Sequence, residues 1–295
     1  MKYLKSLVHA FSYLLVSLLM TITILIALGY LLSYRKANQA VGKTNVSVAN
    51  KIQLNPSPTA TLSESIEIEN ALKSIIASYP QLNWGISFID ITNADKASIN
   101  GTEVFHGAST TKVLIACLLL NQIEQGQYSL DTNLNGATLK QLTWQMVNRS
   151  DNDAWEEIMN FIGFNYQAPY ARGLGIYSYD VANNNIDPND MALLLYKLYG
   201  GQILNSSDTA LLLSYMQNTN NEELIPPAAP QDALVYHKYG SFGKELDDAA
   251  IIDDKKRPFV LVIYTSTASG ELTYVQRANV FHQIVKSVYN VIEPQ

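Results

Sequence analysis

The chain has 295 residues, 47% hydrophobic and 16% charged, which suits one globular domain of ordinary size with an apolar segment to spare. Its net charge of −6 and the lack of a basic patch argue against a nucleic-acid partner. A single cysteine, Cys117, excludes an intrachain disulfide, and its place in an apolar helix marks it as a buried packing residue rather than a reactive thiol.

From Leu7 to Leu32 there is no acidic or basic residue apart from His9. These 26 positions would span about 39 Å as a helix, enough to cross a bilayer with some tilt. A secretory signal peptide is the competing reading, but its apolar region is usually about 7–15 residues long. Nor does a small-x-small cleavage site stand out. Residues 1–36 are therefore expected to form a single-pass membrane anchor. Basic residues flank it on both sides (Lys2 and Lys5; Arg35, Lys36 and Lys43), so charge does not set its orientation. The short N-terminal tail favours a catalytic domain outside the cytoplasm. Residues 37–63, rich in Asn, Ser, Thr and Pro with an Asn55-Pro56-Ser57-Pro58 breaker, read as an extracytoplasmic linker.

Residues 64–295 read as the catalytic domain. Ile68, Leu72, Ile75, Ile76 and Tyr79 recur at helical spacing until Pro80. Trp84 to Ile91 alternates as a strand, with a turn at Asn93-Ala94-Asp95 and a short return over 96–100. An apolar helix then runs through Leu118-Leu119-Leu120 to a stop at Gly126, and a helix apolar all round belongs at the centre of a fold. Helices are expected over 138–148, 153–162, 188–199 behind the Asp187-Pro188 start, and 208–216. Strands return over 233–239, 248–252 and 258–265, and a closing helix covers 272–292. Strands at both ends with helices between them predict an α+β fold: a mostly antiparallel sheet backed by terminal helices, plus an inserted all-α lobe.

The chemistry centres on Ser109-Thr110-Thr111-Lys112 at the mouth of the apolar helix. Residues three apart share a helix face, so the Lys112 amine can reach the Ser109 hydroxyl. Serine is a poor nucleophile until a base takes its proton, and lysine serves as that base only when desolvation or nearby positive charge lowers its pKa. Free N–H groups at the helix mouth can also hold an oxyanion. The pair alone is weak, since Ser33-Tyr34-Arg35-Lys36 repeats the spacing beside the expected anchor. Two later stretches, Ser150-Asp151-Asn152 and Lys238-Tyr239-Gly240, complete the order Ser-x-x-Lys, Ser-Asp-Asn, Lys-Thr-Gly with one change.

With these motifs, residues 64–293 resemble the class A β-lactamases and their penicillin-binding relatives. The resemblance implies that Ser109 is the nucleophile, Lys112 the general base, and Ser150 the relay to the leaving nitrogen. It also implies that Asn152, Lys238, Gly240 and Ser241 bind and polarise the substrate, the Ser241 and Ser109 N–H groups forming the oxyanion hole. Ser150 or Asp151 can equally be read as the N-cap of the next helix. No cofactor or metal is expected; the four histidines, His9, His106, His237 and His282, show no ligand spacing, and His106 and His237 are as readily packing residues as cleft residues.

Two departures stand out. Tyr239 replaces the family's Thr, putting a phenol where a small hydroxyl serves carboxylate recognition. The Glu-x-x-Leu-Asn motif that positions a deacylating water is missing, and the segment between Asn152 and Pro188 is shorter than the family's. Among nearby acids, Glu156 and Glu157 read as a solvated helix face, and Asp180, in Tyr177-Ser178-Tyr179-Asp180, is the loop carboxylate to consider as a water-activating base. The expectation is a membrane-anchored serine hydrolase acting through an acyl-enzyme on β-lactam or related amide bonds. The alternatives are a penicillin-binding D-Ala-D-Ala peptidase or transpeptidase with slow β-lactam turnover, and a degenerate wall-binding module. Expected partners are a small-molecule β-lactam or a peptidoglycan stem peptide, and the membrane through the N-terminal helix.

Overall fold

A computed structural model describes residues 62–267 and 272–293. The anchor expected over 1–36 and nearly all of the linker expected over 37–63 lie outside the described residues. Among the described residues, no helix is long and apolar enough to cross a membrane.

The central strand explains the architecture. Strand β9 (Phe259–Thr267) lies between β1 (Leu82–Asp90) and β8 (Glu245–Asp253) in a five-stranded sheet of order β2-β1-β9-β8-β7, with β2 at Lys96–Ile99 and β7 at Leu234–Phe242. Every pairing is antiparallel. Successive side chains of a strand face opposite ways, and both faces of β9 are covered. Phe259, Leu261 and Ile263 join one core with Leu72, Phe281 and Ile284. Val260, Val262 and Tyr264 join the other with Leu114, Leu119 and Leu195. That is why this strand is an unbroken apolar run and not an alternating one.

The first core is closed by the terminal helices α1 (Leu62–Ile76) and α8 (Tyr274–Ile292), which pack against each other. Helix α1 starts two residues inside the expected linker. Arg257, in the β8–β9 turn, ties these layers together through Glu64 (2.6 Å) and Asp90 (2.5 Å).

The second core surrounds α2 (Lys112–Glu124), whose residues Lys112 to Leu120 are all buried. Packed around it are α3 (Leu139–Asn148), α4 (Asn152–Ile162), α5 (Gln167–Gly173), α6 (Pro188–Tyr199) and α7 (Ser206–Tyr215). Their starts follow ordinary capping chemistry. Thr138 and Gln141 form a capping box on α3, Asp187 caps α6 with Pro188 behind it, and Asn205, not Asp208, caps α7. Cys117 is buried, and burial pushes its thiol pKa up, as befits a packing residue. The expected α+β layout is therefore the observed one. Unforeseen are α5 and two small ladders, β3 (Phe105–His106) with β6 (Asn185–Ile186) and β4 (Asn133–Leu134) with β5 (Ala137–Thr138). Two-residue strands leave no periodicity to read.

Candidate active site

The nucleophile stretch is a turn, not the first turn of the helix. Helix α2 begins at Lys112, and Lys112 N donates to Ser109 O at 3.3 Å, an i to i+3 bond. In such a tight turn residues three apart eclipse, which keeps Ser109 and Lys112 on one side. Ala108, just before the serine, sits at φ +45°, a conformation unfavourable for an L residue. The segment before α6 holds it there: Asn184 Nδ2 donates to Ala108 O (2.8 Å), Thr111 Oγ1 donates to Asn184 Oδ1 (2.7 Å), and Gly107 N donates to Asn184 O (2.8 Å). From below, Thr110 Oγ1 meets Tyr264 OH at 2.6 Å.

Ser150 is the second fixed point. Its backbone is also left-handed, φ +56°, in the turn between α3 and α4. Asp151 caps α4 by accepting from Ala154 N at 2.8 Å, so the N-cap reading of this motif holds. The same turn aims its polar atoms at the two lysines. Lys112 Nζ donates to Ser150 O (2.7 Å), Asp151 O (3.2 Å) and Asn152 Oδ1 (2.7 Å). Lys238 Nζ donates to Ser150 Oγ (2.9 Å) and to Tyr239 O (2.9 Å).

Burial lowers the Lys112 pKa to about 8, with the Asp151 carboxylate opposing. Burial lowers Lys238 to about 7; the Lys112 charge adds to this and Asp248 opposes it. Water solvates an ammonium better than a protein interior does, so both lysines release protons near neutral pH.

Strand β7 forms the other wall. A Cβ at Gly240 would lie 2.9 Å from Ala108 Cβ and 3.1 Å from Ser109 N, so only glycine lets the strand approach the nucleophile turn. A cleft of about 300 Å³ opens between Ser109, Asn152 and Ser241, with Thr111, Trp155 and Asn184 among its walls. His106 and Phe242 stack at its rim, ring centroids 4.5 Å apart. Among the described residues, neither the Ser109 hydroxyl nor its N–H is hydrogen-bonded, leaving both open to a ligand.

Of the seven residues singled out from sequence, Ser109, Lys112, Asn152 and Ser241 line the cleft, Gly240 backs Ser109 N, and Ser150 and Lys238 stand behind them, linked to Lys112 through the Ser150 carbonyl. Glu156 also lines the cleft, one turn past Asn152, and is the only carboxylate among its described lining residues. Its side chain is exposed, as the solvated-face reading has it, and its spacing of four from Asn152 places the two on one helix face. Asp180 does not line the cleft; its carboxylate holds Ala182 N and Asn183 Nδ2 in an exposed turn. Tyr239 has an unforeseen partner, since Asn220 Nδ2 donates to its phenol oxygen at 3.2 Å. His106 belongs to the cleft, whereas His237 is buried behind it between Asp248 and Glu222. Among the described residues, no group of three His, Cys, Asp or Glu side chains is placed to hold a metal.

Comparison with known proteins fits this geometry. The family model described as the β-lactamase enzyme family matches residues 67–292. The chain belongs to the β-lactamase enzyme family. It is a serine hydrolase of the class A-like kind. A β-lactamase of Proteus vulgaris is 26% identical over 269 residues, covering 79% of this chain and 89% of that one. A β-lactamase of Chitinophaga pinensis superposes with a TM-score of 0.71 at 21% identity, covering 77% of this chain and 99% of the other. A point mutant of PBP-A, captured as an acyl-enzyme with penicillin G, superposes with a TM-score of 0.70 at 20% identity, covering 78% and 97%.

Proposed function

We propose that the chain is a membrane-tethered acyl-serine enzyme acting on β-lactam or related amide bonds. The observation that carries this reading is the convergence of Lys112 and Lys238 on the two oxygens of Ser150, beside an open Ser109. Neutral Lys112 takes the Ser109 proton as the oxygen attacks the carbonyl carbon. The developing oxyanion is held by the N–H groups of Ser109 and Ser241. Ser150, polarised by Lys238, hands a proton to the leaving nitrogen as the C–N bond breaks, and is reprotonated through the lysines. The product is an ester on Ser109. Asn152 holds Lys112 and lies where it can also meet a substrate amide.

Hydrolysis of that ester needs an activated water. Glu156 is the carboxylate available to take its proton while the water oxygen attacks the ester carbon and Ser109 Oγ leaves. A second reading, a penicillin-binding peptidase with slow β-lactam turnover, is favoured by one observation. The loop before α6 puts no carboxylate in the cleft, and a missing general base slows deacylation about 10²–10⁴-fold. The likeness to PBP-A, itself seen acylated by penicillin G, is compatible with this.

The uncharged stretch Leu7–Leu32 supports a single-pass anchor with the enzyme outside the cytoplasm, where wall peptides lie. Intact mass spectrometry of the full-length chain after a penicillin pulse tests the function. An adduct that forms and then decays, leaving hydrolysed drug, supports β-lactam hydrolysis. One that persists for hours supports the penicillin-binding reading. No adduct would overturn both.

A further inference from the structure

Among its described lining residues, the cleft offers an anion no exposed lysine or arginine. Its one cationic lining residue, Lys112, is nearly buried, and its amine is engaged with three oxygens of residues 150–152. Lys238, the other cation near Ser109, is fully buried and does not line the cleft. Tyr239 is what covers it: the ring centroid lies 4.3 Å from Lys238 Nζ. The ring is tied down from the opposite wall, because Asn220 Nδ2 donates both to Tyr239 OH (3.2 Å) and to Arg149 O (2.9 Å), and Asn220 N donates to Asn148 O (3.1 Å). The bridge spans from β7 to the end of α3, beside Lys238.

What remains exposed has the opposite character. Glu156 lines the cleft with no hydrogen bond or ion pair among the described residues, and the stacked pair His106 and Phe242 and the Trp155 side chain line it as well. A negative group and aromatic faces attract neutral or cationic ligands with an apolar body and repel carboxylates.

We infer that Tyr239, held by Asn220, makes this site select acyl donors that carry no carboxylate beside the scissile bond. The inference rests on the acyl-serine reading above and narrows its substrate class. Neutral lactams and internal amides or esters are favoured over penicillins with a free acid and over peptides ending next to the reacting bond.

The test compares benzylpenicillin with its methyl ester, following Ser109 acylation of the full-length chain by intact mass spectrometry. The wild type is expected to react roughly tenfold or more faster with the ester, and Tyr239→Thr to shift that ratio toward the acid by about tenfold or more, the factor a charged hydrogen bond confers. Asn220→Ala unties the phenol without altering β7 and shifts the ratio in the same direction. If Tyr239→Thr does not fold, this second variant decides. A wild type that prefers the acid, or a ratio unmoved by either variant, would overturn the inference while leaving the acyl-serine reading intact. Absence of a Ser109 adduct with either probe would overturn that reading, and the inference with it.

Discussion

Lys238 Nζ on β7 donates to Ser150 Oγ at 2.9 Å, joining the sheet to the turn between α3 and α4. Because Lys112 holds the carbonyl of the same residue, the two amines share one neighbour and feel each other's charge. Acylation needs one of them neutral, as the base, and the other charged, as the polariser.

A bell-shaped pH profile follows. The lysines titrate as a pair, with protons leaving near 7 and near 8. Below this window both are charged and no base exists; above it both are neutral and the polarising cation is lost. Between about 7 and 8 the pair holds one proton, and the shifts place it on Lys112, the amine with the higher pKa. Acylation in this window needs that proton to move to Lys238, which frees Lys112 as the base; single-turnover rates should peak there. Lys238→Met should remove one limb of the bell and lower the maximum by about 10²–10³-fold, as loss of a preorganised electrostatic donor does. A flat profile from pH 6 to 9 would contradict the pairing.

Glu156→Gln keeps the shape of the cleft but removes the only carboxylate among its described lining residues. Adduct formation should continue, while the lifetime of the acyl-enzyme lengthens by about 10²–10⁴-fold. An unchanged lifetime would mean that water is activated elsewhere.

Gly240→Ala places a methyl against Ala108 Cβ and the backbone nitrogen of Ser109. Either β7 or the nucleophile turn must shift, and a displacement near 1 Å costs about 10²-fold in rate. The variant should acylate at about one-hundredth of the wild-type rate, and its melting temperature should fall, since overpacking of this kind costs about 1–3 kcal/mol.

His237 makes stability pH-dependent. Burial alone would lower its pKa, but Asp248 (2.9 Å) and Glu222 (3.1 Å) outweigh that and raise it to about 9. The folded state therefore binds the proton more tightly than the unfolded chain, whose histidine titrates near 6.5. Stabilisation on the order of 3 kcal/mol is fully present below pH about 6.5 and is lost as pH rises through about 9. Burial of Lys112 and Lys238, whose folded-state pKa values are lowered, contributes the opposite slope, so the His237 contribution is read as a difference between two proteins. His237→Phe should be weaker than the wild type at pH 6, since Asp248 is left buried without its partner, and the gap in denaturant midpoint should narrow as pH rises to about 9.5; a gap that does not change with pH would contradict this.

Much of this was legible in sequence because the signals are local. Spacings of three and four mark Ser109 with Lys112 and the Asp151 cap, and the run from Phe259 to Tyr264 announces a strand covered on both faces. Long-range contacts were not legible. Asn184 holds the nucleophile turn from 76 residues away, and Asn220 reaches Tyr239 from a segment without periodicity. Left-handed backbone at Ala108 and Ser150 has no residue signature either, since neither is the glycine or asparagine that usually marks it. The start of α2 was placed early for a related reason: Ser109, Thr110 and Thr111 carry no strong cap signal, and tertiary contacts decide that they form a turn.

The most direct test of the central claim is to locate the acyl group. The full-length chain is treated with a β-lactam ester at pH 7.5, quenched in acid, digested and mapped by mass spectrometry, beside Ser109→Ala and Lys112→Met. The account predicts a single acylated site at Ser109 in the wild type, none in Ser109→Ala, and labelling slowed by about 10²-fold or more in Lys112→Met. Acylation at another residue, or equal labelling without the Ser109 hydroxyl, would contradict it.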